Sequence, residues 1–213
     1  MILIKLGWAV FAPKNRENYI DYNYLEEFKK VLSLFKEQIV LVHWTWNFWH
    51  NFVSNYWLYL SNYKQLEKIL SGFFESMNNI FDDFHRLKYN ELNTIKTTQK
   101  NIIIWGDIEK NKIISSDIIF SKILKKYNIR KSFILTDVDW VLDNVWNIIN
   151  YINKTNYNKI SFFDKHNDVS GAMKAKVEEA LKIWKKTLVT NWTKLQNFSN
   201  IINYHKGIFT EIN

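Results

Sequence analysis

Short apolar runs alternate with segments of helical periodicity along the whole chain, and this alternation constrains the fold more than any other feature. The runs are continuous rather than alternately apolar and polar, which is typical of strands buried on both faces of a parallel sheet. We predict strands over Met1–Leu6, Gln38–His43, Asn101–Trp105, Ser132–Thr136, Thr187–Thr190 and Gly207–Ile212. The pattern predicts an α/β fold with a mostly parallel sheet and helices on both of its faces.

The segments between these strands carry the spacing of apolar residues that characterises amphipathic helices. Residues 62–89 are long and periodic, which favours one or two helices that form a lid. The sequence GDIEKNKII predicts a hairpin, and the Asn-rich stretch 144–158 is expected to be a surface excursion. Further helices are predicted over 21–36, 51–60, Ile118–Tyr127 (with Ser116 and Asp117 as its cap), Met173–Ile183 and Lys194–Ile201.

Composition excludes several classes of protein. The chain has 213 residues, enough for one domain with a hydrophobic core. It contains no cysteine, which excludes disulfide scaffolds, thiolate zinc sites and cysteine nucleophiles. No apolar run approaches the roughly 18 residues of a membrane span, and the first residues lack the pattern of a signal peptide. We therefore expect a cytoplasmic protein without a membrane span.

The net charge of +8 is not read as a nucleic-acid signal. Lysine supplies 26 of the 29 basic residues, and Asn, Ile and Lys together make up about 37% of the chain. All three have A/T-rich codons, so a low-GC genome explains their excess. The lysines are scattered without a long basic block, and no nucleic-acid partner is expected. A small phosphorylated ligand would also account for a basic pocket.

Parallel sheets bind ligands at the carboxyl ends of their strands, which here are followed by loops 7–14, 43–50, 105–107, 136–143 and 190–193. Lys5 lies in a strand that otherwise reads as buried. It therefore needs a partner, for which an anionic ligand is one candidate. The alternative is that its side chain reaches solvent from the edge of the sheet.

The second of these loops, HWTWNFWH at 43–50, contains three tryptophans. An aromatic surface for sugars or membranes is one interpretation. Its place between a strand and a helix, however, is where α/β proteins put backbone N–H groups around a phosphate. Such a loop requires glycine, which lets the backbone approach the ligand. The chain has five glycines and ten tryptophans, which together supply the roughly 7% that glycine alone usually supplies.

With glycine at each tryptophan, five segments read IKLGGAV, VHGTGNFGH, NYGL, LTDVDGVLD and TNGT. Together with DVSGAMKAKVEEALKI, they resemble the amino acid kinase superfamily, and within it the isopentenyl phosphate kinases. The resemblance runs in order from residue 2 to residue 212, and only 61–100 is not clearly matched. The chain lacks the GxxxxGK[ST] pattern, so a P-loop kinase is not expected.

The resemblance suggests a hypothesis about the tryptophans: the gene uses UGA for glycine, and the codon has been translated as tryptophan. The alternative is a genuinely tryptophan-rich protein. At Trp184 glycine fits a helix end, whereas Trp105 is ambiguous. Glycine also fits the motif or turn at eight other positions, namely Trp8, Trp44, Trp46, Trp49, Trp57, Trp140, Trp146 and Trp192.

The resemblance implies a three-layer αβα fold and a single domain, 1–213, that uses ATP and Mg²⁺. Residues up to about 100 would form the half that binds the phosphate acceptor, with a lid at 61–90, and residues 101–213 the half that binds the nucleotide. The expected reaction is the phosphorylation of isopentenyl phosphate to the diphosphate. A homodimer is a further expectation from the family.

The resemblance also implies roles for individual residues. Lys5 would contact the transferring phosphoryl group, Lys14 would stabilise the transition state, and His50 would bind the monophosphate of the acceptor. Thr45 and Ser116 would line the acceptor site with His50, and no residue is assigned as a metal ligand. One of the two aspartates in the nucleotide loop is also a candidate for orienting the lysines. The nucleotide contacts would come from Lys5, Gly7, Trp8, Ala9, Trp46, Asp137, Asp139, Ala172, Lys174 and Lys176.

Other functions stay open at this point. A sister kinase could act on another phosphate, a phosphonate or a carboxylate. The same fold could instead serve as a non-catalytic binding protein. The aromatic carbohydrate-binding or membrane-surface module stands only if the tryptophans are real.

Overall fold

The structure, a computed structural model, describes residues 1–7, 11, 19–43, 63–96, 101–105, 107–109, 112–137, 141–162, 172–182, 185–204 and 207–213. Its strands are Ile2–Leu6 (β1), Ile39–His43 (β2), His85–Leu87 (β3), Ile102–Trp105 (β4), Asp107–Glu109 (β5), Lys112–Ile114 (β6), Lys131–Thr136 (β7), Val141–Leu142 (β8), Ile148–Ile149 (β9), Tyr151–Ile152 (β10), Thr187–Asn191 (β11) and Thr210–Ile212 (β12). Its helices are Tyr22–Leu32 (α1), Tyr63–Ile80 (α2), Ser116–Lys126 (α3), Lys154–Tyr157 (α4), Ala172–Leu181 (α5) and Leu195–Tyr204 (α6), with a 3₁₀ helix at Tyr89–Thr94. The predicted helix 51–60 lies outside the described residues.

The main sheet in the described part of the chain has eight strands in the order β10-β12-β11-β7-β1-β2-β4-β3. Strand β12 runs antiparallel to β11, and every other pairing in the sheet is parallel. The predicted mostly parallel sheet is therefore confirmed. Strand β1 lies between β2 and β7, so the first strand of the chain occupies the centre of the sheet.

Each face of the sheet is covered by helices, which confirms the three-layer α/β fold. On one face, Ile2, Ile4 and Leu6 pack in a cluster that includes residues of α1, α2 and α6. On the other face, Leu3 packs in a cluster that includes residues of α3 and α5. Successive side chains of a strand point to opposite faces, so Lys5 shares the face of Leu3.

Two predicted helical segments differ from the observed ones. The helical stretch predicted over 62–89 ends at Ile80, and His85–Leu87 forms edge strand β3. A three-residue strand with one buried side chain is too short to leave a periodic signal. Helix α3 begins at Ser116 because Ser115 is its N-cap, with its side chain accepting from the N–H of Ile118 at 3.4 Å.

The Asn-rich stretch 144–158 is less peripheral than predicted. It contains β9, β10 and α4, and β10 pairs with β12 at one end of the main sheet. Ile152 of this strand is fully buried. The predicted hairpin around Lys110–Asn111 is confirmed by the antiparallel pairing of β5 with β6.

Two of the tryptophans at predicted glycine positions lie in the described residues, and they differ. Trp146 has a φ of 66°, and it is the one non-glycine residue with positive φ among those described. This left-handed conformation is typical of glycine. Trp192 is fully buried, but its indole nitrogen has no hydrogen-bond partner. The conformation of Trp146 supports the glycine hypothesis, whereas the ring of Trp192 packs against Phe11, Tyr24 and Phe28 in the core. The hypothesis stays a prediction.

Candidate functional site

Lys5 is a buried cation near the carboxyl end of the central strand. Its side chain forms an ion pair with Asp117 and is 5% exposed. Its strand neighbours are Val42 on β2 and Ile134 on β7, so it cannot reach solvent from an edge. The edge alternative is therefore wrong, and a buried lysine of this kind requires a compensating anion.

Helix α3 places the anion that compensates Lys5. Ser115 caps the helix, and Asp117 lies in its first turn. A carboxylate is stabilised there by the positive end of the helix dipole. Ser116, which was predicted to line the acceptor site, is 4% exposed and precedes Asp117 directly. Ser116 is therefore the sequence neighbour of the residue that pairs with Lys5.

A second lysine acts on Asp117 from helix α5. Burial, the largest influence, raises the pKa of Asp117, but the charge and hydrogen bond of Lys5 and the charge of Lys176 together bring it below its usual value. Asp117 is therefore a carboxylate at neutral pH; it pairs with Lys5 and also feels the positive charge of Lys176 from another element. Such an arrangement can present two positive charges to an anionic ligand.

Sequence reasoning assigned Asp117 only to the cap of a helix. The residue that orients Lys5 was sought instead in the nucleotide loop, at Asp137 or Asp139. The sequence did contain a signal, because Asp117 directly follows Ser116, which was predicted to line the acceptor site.

Gly7 and Asp137 lie at neighbouring strand ends. The N–H of Gly7 donates to the carbonyl of Leu135 at 2.8 Å. A Cβ at position 7 would lie 2.4 Å from that carbonyl oxygen, so only glycine fits. Asp137 follows two residues later and accepts from the hydroxyl of Thr136 at 3.1 Å. The structure therefore brings two of the predicted nucleotide contacts to one edge.

The end of β11 joins the same edge. The backbone N–H of Trp192 donates to the carbonyl of Thr136 at 3.1 Å. The side-chain oxygen of Asn191 accepts from the backbone N–H of Thr193 at 2.7 Å and from its hydroxyl at 2.6 Å. This Asx turn fixes the direction of the chain after the strand. Sequence analysis pointed to loop 190–193 but assigned no residue in it.

An aromatic group lies at the ends of β2 and β4. The ring of Trp105 stacks on Phe74 of α2 with centroids 4.2 Å apart, and the guanidinium carbon of Arg86 lies 3.8 Å from the Trp105 centroid. His43 is fully buried beside Trp105. Burial, and after it the charge of Arg86, lowers the pKa of His43 to about 3. The histidine is therefore neutral at neutral pH.

Helix α5 carries three of the predicted nucleotide contacts. It begins at Ala172, and Lys174 is exposed whereas Lys176 is partly buried. Residues two apart on a helix do not share a face, so the two lysines point in different directions. The role of Lys174 stays a prediction. The remaining predicted site residues, which are Trp8, Ala9, Lys14, Thr45, Trp46, His50 and Asp139, lie outside the described residues.

The residues at this edge fit a nucleotide. Lysine ammonium groups near the end of a buried strand are donors that phosphates use. Mg²⁺ is usually held by one or two carboxylates together with substrate phosphates. In the described residues no three His, Asp or Glu side chains come together in a way that could hold a metal ion by themselves. In the same part of the chain, no helix is long and apolar enough to cross a membrane.

The comparison with protein families agrees with this geometry. Residues 59–190 match the model of the amino acid kinase family. The chain belongs to the amino acid kinase family. This match confirms the resemblance seen in the sequence, and it makes the protein a small-molecule kinase, for which the family implies nucleotide use. No relative among the curated proteins matches the chain in sequence.

Solved structures of amino acid kinases share the fold along nearly the whole chain. An isopentenyl phosphate kinase in a substrate complex matches with a TM-score of 0.75 at 17% identity, over 100% of this chain and 99% of that one. Carbamate kinase from Giardia lamblia bound to AMP-PNP matches at 0.65 and 14%, over 99% and 96%. UMP kinase from Ureaplasma parvum matches at 0.64 and 12%, over 99% and 97%.

Proposed function

We propose that this amino acid kinase transfers the terminal phosphoryl group of ATP to isopentenyl phosphate and forms the diphosphate. The observation that carries the proposal is the buried Lys5–Asp117 pair, with the charge of Lys176 acting on the same carboxylate. The acceptor is proposed from the sequence motifs, above all the loop that ends in His50. The match to an isopentenyl phosphate kinase structure supports the same acceptor.

Phosphoryl transfer requires positioning and charge neutralisation more than a covalent catalyst. When bound, ATP supplies the phosphoryl group, and Mg²⁺ neutralises part of the charge on its phosphates. In our proposal, the ion pair with Asp117 fixes the position of Lys5, so that its ammonium group faces the transferring phosphoryl group. Lys176 adds a second positive charge from α5, and Gly7 lets the backbone approach the phosphates closely.

The acceptor would bind beside this cluster. We propose that His50 and Thr45 hold its monophosphate, with Ser116 at the side of α3, while Lys14 stabilises the charge that develops during transfer. Trp8, Ala9, Trp46, Asp139, Ala172 and Lys174 would complete the nucleotide contacts. Residues up to about 100 would thus bind the acceptor, and the rest of the domain the nucleotide.

The test is an ATP-consumption assay with Mg²⁺ and five acceptors: isopentenyl phosphate, dimethylallyl phosphate, fosfomycin, acetylglutamate and UMP. The assay uses two chains, one with tryptophan and one with glycine at the eight proposed positions. We expect turnover of the isoprenoid phosphates by the glycine chain, lost in His50→Ala. We expect little turnover by the tryptophan chain, because three indoles would fill the loop 43–50.

Each other outcome has a definite meaning. Turnover of a different acceptor alone would leave the kinase assignment in place and would show that the proposed acceptor is wrong. Binding of ATP without turnover of any acceptor would favour the non-catalytic alternative. Equal turnover by both chains would reject the glycine hypothesis and leave the kinase assignment in place.

A further inference from the structure

We propose that Glu179 is a positioning residue for Lys176, and that it acts through a hydrogen bond with Ser121 across the interface of α3 and α5. The hydroxyl of Ser121 donates to Oε2 of Glu179 at 2.9 Å. Ser121 is 5% exposed, so this contact lies inside the helix interface. The inference rests on the proposed function only where it names ATP as the ligand of Lys176.

The spacing of four residues makes this contact relevant to the site. Asp117 and Ser121 are four residues apart on α3, and Lys176 and Glu179 are three residues apart on α5. Residues with these spacings lie on the same face of a helix, one turn apart. Lys176 acts on Asp117, and Glu179 contacts Ser121. Since Glu179 contacts α3, Lys176 faces α3 one turn earlier along the same interface.

The apolar contacts of α5 fix its position along α3 less precisely than this hydrogen bond does. Val177, Ala180 and Leu181 are buried in the same cluster as Ile119 and Ile123 of α3. Hydrophobic contacts are not directional, and residues of similar shape allow a helix to slide or rotate slightly. A hydrogen bond to a carboxylate has a defined length and direction. A shift of α5 that breaks the Ser121–Glu179 bond would therefore also move Lys176 away from Asp117.

Two neighbouring contacts of α5 provide matched controls. Glu179 also pairs with the exposed Lys182, three residues further along the same helix. Tyr157 of α4 donates a hydrogen bond to Glu178, on a different side of α5. The variants Lys182→Ala and Tyr157→Phe each remove one polar contact of this helix and leave the bond between Ser121 and Glu179 intact.

The first test does not depend on catalysis. Lysine amines are labelled by reductive ¹³C-methylation, and the Lys176 signal is assigned by its loss in Lys176→Arg. We expect Glu179→Ala and Ser121→Ala to move this signal in the direction that Asp117→Asn moves it. Lys182→Ala and Tyr157→Phe should leave it in place. The proposal would be overturned if Glu179→Ala left the chemical shift of Lys176 unchanged while the variant kept its melting curve.

The second test is kinetic and uses the chain that turns over in the assay above. We expect Glu179→Ala to raise the KM for ATP about tenfold, the loss of one hydrogen bond to a charged group, with the KM for the acceptor unchanged. Glu179→Gln keeps an acceptor oxygen for Ser121 and should restore most of the affinity. In a Lys176→Met background, Glu179→Ala should have no further effect.

The outcomes separate the two proposals. Equal effects of Glu179→Ala with and without Lys176 would show a general loss of structure and would overturn the positioning role. A chain that turns over none of the acceptors would overturn the proposed function, whereas the Lys176 signal would still decide the role of Glu179. If Glu179→Ala fails to fold, Glu179→Gln and Ser121→Ala carry the same comparison.

Discussion

Lys5 on β1 and His43 on β2 are buried ionisable side chains at adjacent strand ends, and the protein treats them in opposite ways. Leu6, next to Lys5, pairs with His43 across the two strands. Lys5 shares the face of Leu3 and forms an ion pair with Asp117. His43 shares the face of Ile39 and Leu41 and is kept neutral by burial, with Arg86 acting in the same direction.

One edge of the sheet thus provides two different environments for ionisable side chains. A buried lysine keeps its charge only beside an anion, whereas a buried histidine can release its proton near neutral pH at little cost. One face of the edge thus carries an ion pair, which in our proposal faces the phosphates. The other is aromatic and neutral, with Trp105 between Phe74 and Arg86.

The largest effect is expected when the ion pair between Lys5 and Asp117 is removed. Lys5→Met should lower kcat by about 10²–10³-fold, because a preorganised positive charge is lost from the transition state. It should also destabilise the fold by roughly 3 kcal/mol, since Asp117 loses its closest partner. Steady-state kinetics and urea unfolding measure the two effects.

The double variant Lys5→Met/Asp117→Asn sharpens this prediction. Removing both charges should restore much of the stability but none of the activity. If the double variant were as unstable as the single one, the pair would not be the cause of the loss. Recovered activity would remove Lys5 from the site.

The next effect is expected on the aromatic side. Trp105→Ala should destabilise the protein by about 3 kcal/mol, because a large buried side chain stacked between Phe74 and Arg86 is replaced by a cavity. Chemical denaturation measures this loss, with Trp146→Ala as the exposed control. A loss below about 1 kcal/mol at Trp105 would mean that the aromatic face contributes little, and would favour glycine at this ambiguous position.

A smaller, pH-dependent effect is expected from His43. Its pKa is about 3 in the folded protein, against about 6.5 in the unfolded chain. Between these values only the unfolded chain binds the proton. The free energy of unfolding should therefore fall by about 1.4 kcal/mol for each pH unit below 6.5. Above pH 6.5 the histidine is neutral in both states, and this loss of stability is absent. The variant His43→Asn should lose this part of the slope in denaturation curves between pH 6.5 and 4.5. An unchanged slope would show that His43 is protonated in the fold.

The smallest effect is expected at Trp146, which belongs to neither strand end. The residue is 65% exposed and has a φ of 66°. Trp146→Gly should stabilise the fold by about 1 kcal/mol, because glycine adopts this conformation without strain. Thermal melts of the two chains measure the difference. A destabilised glycine variant would count against the glycine hypothesis at this turn.

The sequence predicts most of the fold because its strands are buried on both faces. A continuous apolar run such as Ile102–Trp105 indicates a strand that is buried on both faces of the sheet. Edge elements give no such signal, and His85–Leu87 and Tyr151–Ile152 were therefore missed. These strands are short and are buried on one side only. They form because they pair with distant strands, and a local sequence pattern does not show such pairing.

The site was predictable in part. Lys5 could be found because a cation inside an apolar strand has to be explained, and Gly7 because the motif requires a residue without a side chain. Asp117 was missed because a first-turn aspartate is usual in helices. Its role depends on which strand the helix meets, and 112 positions separate it from Lys5.

The central place of β1 also has a consequence for biosynthesis. Ile2 pairs with Lys131, so one of the two neighbours of the first strand is made almost 130 residues later. At ribosomal speeds of about 5–20 residues per second, this delay is on the order of ten seconds. For most of that time the nascent chain carries an apolar strand with a lysine whose carboxylate partner, Asp117, has not yet been translated. The sheet can therefore close, and the proposed kinase site can assemble, only late in the synthesis of the chain.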